Sequence, residues 1–342
     1  MNWNEKEILI SGGTGSLGKT LTKLLLKNYN PKGIRIFSRD ELKQWEMKQE
    51  IKDWYIKYHD SDWSYPPEMP PISYLVGDIR DRKRIELASK GVDILIHTAA
   101  LKQVPSCENN PLEAIQTNIV GSQNILYAAL ENKIEKAMII SSDKAVMPIN
   151  LYGATKLCME KLFIQGNTYS GNRAPHFSVC RYGNVIGSRG SVIPLFKKQA
   201  ERGVLTITHR DMTRFWIRLN QVAEFILKAI DVMEGGEIFI PKMPSAKVFD
   251  VAVGIIRNQS SPETFVEIKK IGIRPGEKLH EILITGEEMK MAAFNQDLNC
   301  FVIANKYSMN NESGSEAEPY TSNTNLVWLT DEEIDQIIRE EI

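Results

Sequence analysis

A tyrosine and a lysine four residues apart could form the centre of a redox or elimination site. Tyr152 and Lys156 occupy positions i and i+4 of a helical pattern, which puts both side chains on one helix face. A nearby ammonium lowers the pKa of a phenol, as an acid–base partner for alcohol and ketone interconversion requires. Because the chain has 11 tyrosines and many lysines, roughly one such spacing is expected by chance. The pair therefore indicates a site only together with its place in the fold.

An acid and an amine stand side by side just before that helix. Asp143 and Lys144 come shortly after the apolar run Ala137–Ile140, and the carboxyl ends of parallel strands are where ligands bind. Oxidation of an alcohol needs only a hydroxyl here, which the preceding serines can supply, whereas elimination of water needs a proton donor and a proton acceptor. For that reaction Asp143 would hold a proton, and the cationic Lys156, together with a cationic cofactor, would depress the pKa of Lys144. The alternative is an ordinary Asp–Lys surface pair.

A glycine-rich turn after the first apolar run could hold a pyrophosphate. Gly12, Gly15 and Gly18 follow Ile8-Leu9-Ile10 and open a helical pattern. Glycines permit the tight turn and let main-chain N–H groups approach a pyrophosphate at the helix N-terminus. Because a strand precedes the motif and a helix follows it, we predict a dinucleotide site over a plain packing turn.

The residues after the second apolar run indicate which dinucleotide binds. Ser38 and Arg39 stand where an acidic residue would hold the ribose of NAD, about 20 positions after the turn. A hydroxyl and a guanidinium suit a 2′-phosphate and favour NADP, although Asp40 and Glu41 follow directly and Arg39 can also be a solvated surface charge. Asp78, after the third run, could bind the adenine amino group or act as a loop or N-cap residue.

Two arginines in the second half could clamp a diphosphate. Arg214 follows Thr213, and Arg274 precedes Pro275-Gly276-Glu277-Lys278. The planar fork of an arginine meets two phosphate oxygens at once. Both residues could equally be partners in surface salt bridges.

The elements that must position these residues alternate along the first half of the chain. Short, nearly all-apolar runs alternate with helical patterns, which predicts an α/β fold with a doubly wound parallel sheet. The runs are Ile8–Ile10, Ile34–Phe37, Ser73–Val76, Val92–Ile96, Ala137–Ile140 and Phe177–Cys180, with helices over Lys19–Lys27 and Leu112–Asn132. We expect a dinucleotide-binding domain over residues 1–183, a smaller substrate-binding region over 184–305 that can return strands to the sheet, and a linker and helix over 306–342.

Three further segments carry structural predictions. Trp54–Pro71 contains four prolines and is expected to be a surface excursion rather than a regular helix. Ser308–Asn325 is polar and is expected to be an exposed loop or linker. Thr330 and Glu333 can form a capping box for a short C-terminal helix that docks through isoleucines.

Composition excludes several classes of function. The 42 basic and 43 acidic side chains give a net charge of −1, which argues against a general nucleic-acid binder but leaves room for a local basic pocket. The four cysteines form no CxxC pair and the histidines show no metal-ligand spacing, so we expect neither disulfides nor a metal site. Without a signal-peptide pattern or an apolar run of about 18 residues, the sequence predicts a cytoplasmic protein without membrane partners.

The motifs together resemble the extended short-chain dehydrogenase/reductase superfamily. The glycine turn and the Tyr152–Lys156 pair are shared with the whole superfamily, whereas longer signatures are similar to bacterial nucleotide-sugar 4,6-dehydratases of the polysaccharide biosynthesis protein family. These signatures are Phe37–Glu41, His97–Lys102, Ser142–Ala145, Arg181–Asn184, Met212–Phe215 and Arg274–Glu281. Tyr152 is typical of the configuration-inverting branch, which acts on UDP-N-acetylglucosamine in the pseudaminic acid pathway, whereas retaining relatives carry methionine there.

The resemblance implies an internal oxidation, elimination and reduction through NADP, in a protein that forms homo-oligomers. Tyr152, assisted by Lys156, would take the C4 hydroxyl proton, Lys144 the C5 proton, and Asp143 would protonate the departing C6 hydroxyl. Implied cofactor contacts, besides Tyr152 and Lys156, are Gly12, Thr14, Gly15, Ser16, Leu17, Gly18, Ser38, Arg39, Asp78, Ile79, Ala99, Ala100, Lys102 and Asn118. Implied substrate contacts are Lys102, Asn184, Arg214, Arg274 and Glu277.

Two other functions stay open at this point. A redox enzyme or 4-epimerase of the same superfamily needs Tyr152 and Lys156 but not the Asp143–Lys144 pair, so replacing Lys144 would leave most of its activity. A non-enzymatic NADP sensor on the same fold would typically have lost the tyrosine–lysine pair, which is intact in this chain.

Overall fold

The computed structural model describes residues 1–59, 70–171, 173–188, 190–258, 265–304 and 317–340. Contacts divide the chain into two units, each discontinuous in sequence. The first unit comprises Met1–Ile140, Cys158–Cys180 and Ala223–Glu237, and the second Ser141–Leu157, Arg181–Val222 and Ile238–Ile342. The units interleave along the chain, whereas the sequence predicts contiguous regions that meet at residues 183/184 and 305/306.

Parallel strands form the centre of the first unit. They are β1 (Glu7–Ser11), β2 (Gly33–Ser38), β3 (Ile72–Val76), β4 (Ile94–His97), β5 (Lys136–Ile140) and β6 (His176–Cys180). Their pairing runs β6-β5-β4-β1-β2-β3, with every neighbouring pair parallel. The order reverses between β1 and β4, and such a switch point opens a crevice at the carboxyl ends of the strands. All six apolar runs are therefore confirmed as strands, and the α/β fold with them.

Helices connect these strands. They are α1 (Ser16–Asn28), α2 (Glu41–His59), α3 (Arg82–Ala88), α4 (Val104–Asn109), α5 (Pro111–Ile115), α6 (Gly121–Glu131) and α7 (Leu151–Tyr169). A wider π-helical turn, Gln116–Val120, joins α5 to α6, so the helix predicted over Leu112–Asn132 is confirmed with an irregularity that no sequence pattern indicates. Among the described residues, no helix has the length and apolar character that crossing a bilayer requires.

Helix α2 corrects the prediction for the segment that begins at Trp54. The helix continues through Trp54 to His59, because the prolines of that segment start only at Pro66. The rings of Trp54 and Tyr58, one turn apart, stack with centroids 5.4 Å apart. Residues 60–69 lie outside the described residues, so the remainder of that prediction is untested.

The second unit has shorter elements. They are β7 (Asn184–Ile186), α8 (Val192–Ala200), β8 (Val204–Ile207), β9 (Thr213–Arg218), α9 (Leu219–Val232, which crosses into the first unit), β10 (Ile238–Pro241), β11 (Ser245–Lys247), α10 (Val248–Arg257), β12 (Glu267–Lys270), β13 (Ile282–Ile284), α11 (Gly286–Met289), β14 (Ala292–Asn295), β15 (Cys300–Ile303), β16 (Tyr320–Thr321) and α12 (Asp331–Glu340). Strand β9 pairs with β7 and β11, while β15 pairs with β10 and β14.

The C-terminal helix α12 docks as predicted. Thr330 Oγ1 accepts from Glu333 N and the Glu333 carboxylate accepts from Thr330 N, which confirms the capping box. Ile334, Ile337 and Ile338 are buried in the apolar core of the second unit. A Cβ on Gly254 of α10 would lie 2.7 Å from Ile334, so this glycine sets how closely the two helices approach.

The segment expected to be a linker is structured at its end. Residues 305–316 lie outside the described residues, but Tyr320–Thr321 forms β16 and pairs antiparallel with β13. Ser322 is fully buried, and the amide of Asn325 donates to the carbonyls of Met243 and Val327. The prediction of an exposed linker is wrong for Tyr320–Ser322 and Asn325, which are buried in the second unit, and right for Asn323 and Thr324, which are exposed.

Candidate active site

The glycine turn of the first unit has the geometry of a pyrophosphate cradle. Gly12 lies at φ 70°, and a Cβ there would come within 2.7 Å of the main-chain nitrogen of Ala99, so only glycine fits. Gly12 N donates to Phe37 O at 2.8 Å, which ties the turn to β2. A Cβ on Gly18 would overlap the Gly13 carbonyl, so α1 also needs glycine to lie against the turn.

The first turn of α1 fits a negatively charged ligand. Gly15 is the N-cap residue and offers no side chain to cap the helix. Ser16 and Leu17 follow half-buried in the first turn. A helix N-terminus without a side-chain cap attracts anions through its N–H groups and its dipole, so these residues suit a dinucleotide pyrophosphate.

Ser38, Arg39 and Asp78 lie together at the ends of β2 and β3. Thr14 Oγ1 and Ser38 Oγ are 2.9 Å apart, which joins the glycine turn to the end of β2. Arg39 is half-exposed, with Nη1 3.7 Å from Asp78 Oδ2. The Asp78 carboxylate accepts from the main chain and guanidinium of Arg80. Although burial opposes ionisation of Asp78, these hydrogen bonds hold its pKa below the ordinary value. Asp78 is thus a loop residue paired with arginines, and the N-cap residue of α3 is Asp81.

The other predicted cofactor residues follow β3 and β4. Ile79 is buried against Gly121 at the start of α6. Asn118, fully buried in the π-helical turn, accepts from Leu101 N at 2.8 Å and donates to Leu101 O at 2.9 Å. These bonds fix the chain beside Ala100, which is half-buried, and Lys102, which is exposed.

Asp143 and Lys144 form a contact ion pair in the second unit. Lys144 Nζ lies 3.1 Å from Asp143 Oδ1, which also accepts from Ser142 Oγ at 2.6 Å. Asp143 is fully buried, and its Oδ2 has no hydrogen-bond partner among the described residues. Such an oxygen is costly unless a proton or a ligand hydroxyl meets it, so the Asp143 carboxylate is suited to receive either.

Tyr152 and Lys156 are buried in the first two turns of α7, near the Asp143–Lys144 pair. A Cβ on Gly153 would overlap the Lys144 carbonyl oxygen, so this glycine lets the helix lie directly on the chain that carries the ion pair. Asn150 Oδ1 accepts from Gly153 N at 2.8 Å and fixes the start of α7. The second unit therefore brings together the four predicted catalytic residues.

The predicted substrate residues of the second unit have different surroundings. Arg214 is buried, with Nη1 and Nη2 donating to the carbonyls of residues 213, 278 and 279. Arg274 is exposed, and among the described residues its guanidinium has no ion-pair partner. Glu277 Oε1 lies 3.7 Å from Arg214 Nη2, and Asn184 is half-buried at the start of β7. Arg214 is thus held by main-chain carbonyls, two of them from the segment before β13, while Arg274 can reach a ligand.

Glu281 and Lys278 join this site, although the sequence analysis does not single them out as functional residues. Glu281 is 2% exposed, and its Oε1 lies 3.5 Å from Lys144 Nζ and 3.6 Å from Arg214 Nε. Lys278 donates to Val146 O, just after the ion pair. Within the signature Arg274–Glu281 only Arg274 and Glu277 were assigned roles, because a contact across 137 residues leaves no local pattern.

The pKa of Lys144 is raised, not lowered as the sequence predicts. Burial disfavours its ammonium form, but the carboxylates of Asp143 and Glu281 outweigh burial and the repulsion from Arg214. Lys144 is therefore charged in this state.

Among the described residues, no cluster of three His, Cys, Asp or Glu side chains could hold a metal ion.

Comparisons with known proteins agree with this geometry. Residues 8–302 match the family described as polysaccharide biosynthesis protein. A UDP-N-acetylglucosamine 4,6-dehydratase (inverting) of Campylobacter jejuni is 44% identical over 98% of both chains. A UDP-glucose 4-epimerase of Rickettsia conorii is 41% identical over 84% of this chain and 80% of its own.

Solved structures share the fold. Pen from Bacillus thuringiensis superposes with a TM-score of 0.87 and 36% identity over 99% of both chains. The dTDP-glucose 4,6-dehydratase DesIV of Streptomyces venezuelae, solved with NAD and TYD, has a TM-score of 0.66 and 18% identity over 80% of this chain and 86% of its own. At that identity the likeness concerns the fold alone.

Proposed function

This chain belongs to the polysaccharide biosynthesis protein family, within the extended short-chain dehydrogenase/reductase superfamily, and we propose that it is a UDP-N-acetylglucosamine 4,6-dehydratase that inverts C5. The observation that carries the proposal is the buried Asp143 in contact with Lys144 Nζ, beside the helix of Tyr152. An acid and an amine so joined serve elimination of water, a step that a 4-epimerase lacks. The inverting relative also aligns over more of this chain than the epimerase does.

The chain's own residues account for the proton movements. Tyr152, with Lys156 one turn away, takes the proton of the C4 hydroxyl, and the resulting C4 ketone acidifies C5. Lys144 then takes the C5 proton while Asp143 donates a proton to the departing C6 hydroxyl. A proton from solvent then returns to C5 on the opposite face and inverts that centre. The bound nicotinamide supplies the temporary hydride store that makes the reaction redox-neutral.

One internal proton transfer prepares both groups for elimination. In the resting pair Lys144 is an ammonium and Asp143 accepts from it at 3.1 Å. Transfer of that proton to Asp143 yields a neutral amine and a carboxylic acid, which are the forms that the base and the acid require. A sugar that displaces water from the pair favours this transfer, because an ion pair loses more solvation than a neutral pair does.

The cofactor is proposed to be NADP. Ser38 occupies the end of β2 where a carboxylate would hold a ribose hydroxyl, and the half-exposed Arg39 offers a guanidinium beside it. We expect Arg39→Ala to weaken NADP binding by roughly 10- to 100-fold, the value of a charge-assisted hydrogen bond, and to leave NAD binding nearly unchanged. Fluorescence titration with both dinucleotides measures this, and an equal loss for both would contradict the assignment.

Proton NMR of UDP-N-acetylglucosamine in D2O, incubated with the NADP-loaded protein and no reductant, tests the function. A new C6 methyl signal, deuterium at C5 and couplings of the L-arabino configuration are expected. A methyl signal with the original configuration would assign a retaining dehydratase. No methyl signal from any UDP-hexose, with NADP bound, would reject the dehydratase.

The second candidate is a 4-epimerase, which the 41% identical relative brings forward. Lys144→Ala separates the two, because epimerisation needs Tyr152 and Lys156 alone. Methyl formation should fall by at least about 100-fold in this variant, the usual scale of a lost general base. Epimerisation of the C4 hydroxyl at the wild-type rate would favour the epimerase.

A further inference from the structure

Glu281 is held rigidly beside the catalytic ion pair. Its main chain is fixed on both sides by Ser322, whose Oγ accepts from Glu281 N at 2.9 Å and whose N donates to Glu281 O at 2.8 Å. Ser322 Oγ also lies 2.7 Å from Thr213 Oγ1, next to Arg214. The carboxylate thus approaches Lys144 from the residue just before β13, a segment distant in sequence from the catalytic residues.

The charges alternate across this cluster. Asp143 and Glu281 flank Lys144 at 3.1 and 3.5 Å, and Glu281 also meets Arg214 at 3.6 Å. Lys278, which donates to Val146 O, is a further cation near Lys144, and Glu277 lies 3.7 Å from Arg214 Nη2. Glu281 Oε2 is buried without a hydrogen-bond partner among the described residues. Two carboxylates against two close cations leave the core of the cluster neutral, as burial of charges requires.

We propose that Glu281 is a positioning residue that holds the Lys144 ammonium against Asp143, so that the pair rests in its charged form until a sugar enters. The role deepens the proposed function and rests on it. Asp143 alone could pair with Lys144, but the second carboxylate stabilises the ammonium over the amine. The raised pKa of Lys144 in this state is consistent with both carboxylates stabilising its ammonium form.

The pH dependence of Lys144 acylation tests the role without any dehydratase turnover. Trace labelling with acetic anhydride, read at Lys144 by mass spectrometry, reports the fraction of neutral amine at each pH. In Glu281→Gln, which keeps the shape of the side chain but removes its charge, the labelling midpoint should fall by roughly one to two pH units. Glu281→Asp, which keeps the charge, should restore most of the difference.

A matched control removes a carboxylate of the same unit that does not touch Lys144. Glu288 pairs with Arg181 at 2.9 Å, so Glu288→Gln should leave the midpoint of Lys144 unchanged. If Glu281→Gln unfolds, Asp143→Asn tests the same role. In that variant Glu281 alone should still hold the labelling midpoint of Lys144 above that of a free lysine. The proposal would be overturned if the labelling midpoint of Lys144 in Glu281→Gln equalled that of the wild type, or if the midpoint in Asp143→Asn equalled that of a free lysine.

Product formation by NMR separates this result from the fate of the proposed function. In Glu281→Gln the pH at which the rate of product formation begins to rise should move to lower pH, as the labelling midpoint does. If the wild-type protein forms no methyl product, the dehydratase is rejected while the labelling still tests Glu281. If product forms and the midpoint does not move, the inference about Glu281 alone is wrong.

Discussion

Arg214 and Arg274 are alike in sequence context but not in their surroundings. Arg214 is 6% exposed and binds three main-chain carbonyls, whereas Arg274 is exposed and outside any helix or strand. A buried guanidinium that donates to main-chain carbonyls stabilises the fold, and an exposed one without an ion-pair partner can meet a phosphate. The two residues therefore contribute to different properties of the protein.

Alanine at each position should separate those properties. Arg274→Ala should raise the KM for the nucleotide sugar by roughly 10- to 100-fold with little change in urea unfolding, because only a charge-assisted contact to the ligand is lost. Arg214→Ala should lower the free energy of unfolding by about 3 kcal/mol or more, since Glu281 is left as a buried charge with one partner fewer. Equal effects of the two variants on unfolding would contradict this division.

Helix α7 and the chain that carries Asp143 and Lys144 meet through a single glycine. Gly153 lies between Tyr152 and Lys156, and its missing Cβ leaves the space that the Lys144 carbonyl occupies. The Tyr-x-x-x-Lys spacing gives the helix face, but this close packing decides where that face lies relative to the acid–amine pair. The element is therefore positioned by a residue with no chemistry of its own.

Gly153→Ala should reduce the turnover rate strongly, while the free energy of unfolding stays high enough for the variant to fold. The methyl group must push α7 away from the Lys144 carbonyl, and displacements near 1 Å at a catalytic group can cost about 100-fold in rate. Far-UV circular dichroism and urea unfolding establish that the variant folds. Gly166→Ala, which changes a glycine in the same helix away from this contact, is the control. Turnover at the wild-type rate would show that the close packing is not needed.

The elements with strong local patterns were predicted well, and those that depend on distant partners were not. The apolar runs became strands because an all-apolar run of that length suits a sheet covered on both faces. Trp54–His59 is helical although the prolines further along the same segment predict irregular chain. Tyr320 and Asn325, in a segment of polar composition, are buried because their side chains donate to the carbonyl of Met243, which composition cannot reveal.

At the scale of the whole molecule, buried thiol and phenol groups set the response to alkali. Burial raises the pKa of Cys300 from 9.0 to about 12, and that of Tyr320 from 10.0 to about 12 despite its bond to Met243. In the unfolded chain both groups lose their protons at lower pH. Their contribution to stability is therefore fully present below about pH 9 and is lost as pH rises through 12.

Urea unfolding between pH 8 and 11 should show this loss. The free energy of unfolding should fall by up to about 1.4 kcal/mol per pH unit for each such group. Cys300→Ala should make the decline shallower above pH 9, because the variant has no thiol to ionise on unfolding. Cys158→Ala, which replaces an exposed cysteine, is the control. A decline as steep in Cys300→Ala as in the wild type would contradict the role of this thiol.

The sequence by itself determined the strand and helix alternation, the glycine turn and the spacing of Tyr152 and Lys156, and it placed Asp143 and Lys144 at a strand end. Each of these depends on residues that are neighbours along the chain, so local periodicity and turn chemistry encode them. Only the tertiary structure decided that Glu281 faces Lys144 and that Arg214 donates to the carbonyl of Lys278, 64 residues away. The charge state of a buried group depends on every charge within a few ångströms, and those charges come together only when the chain folds.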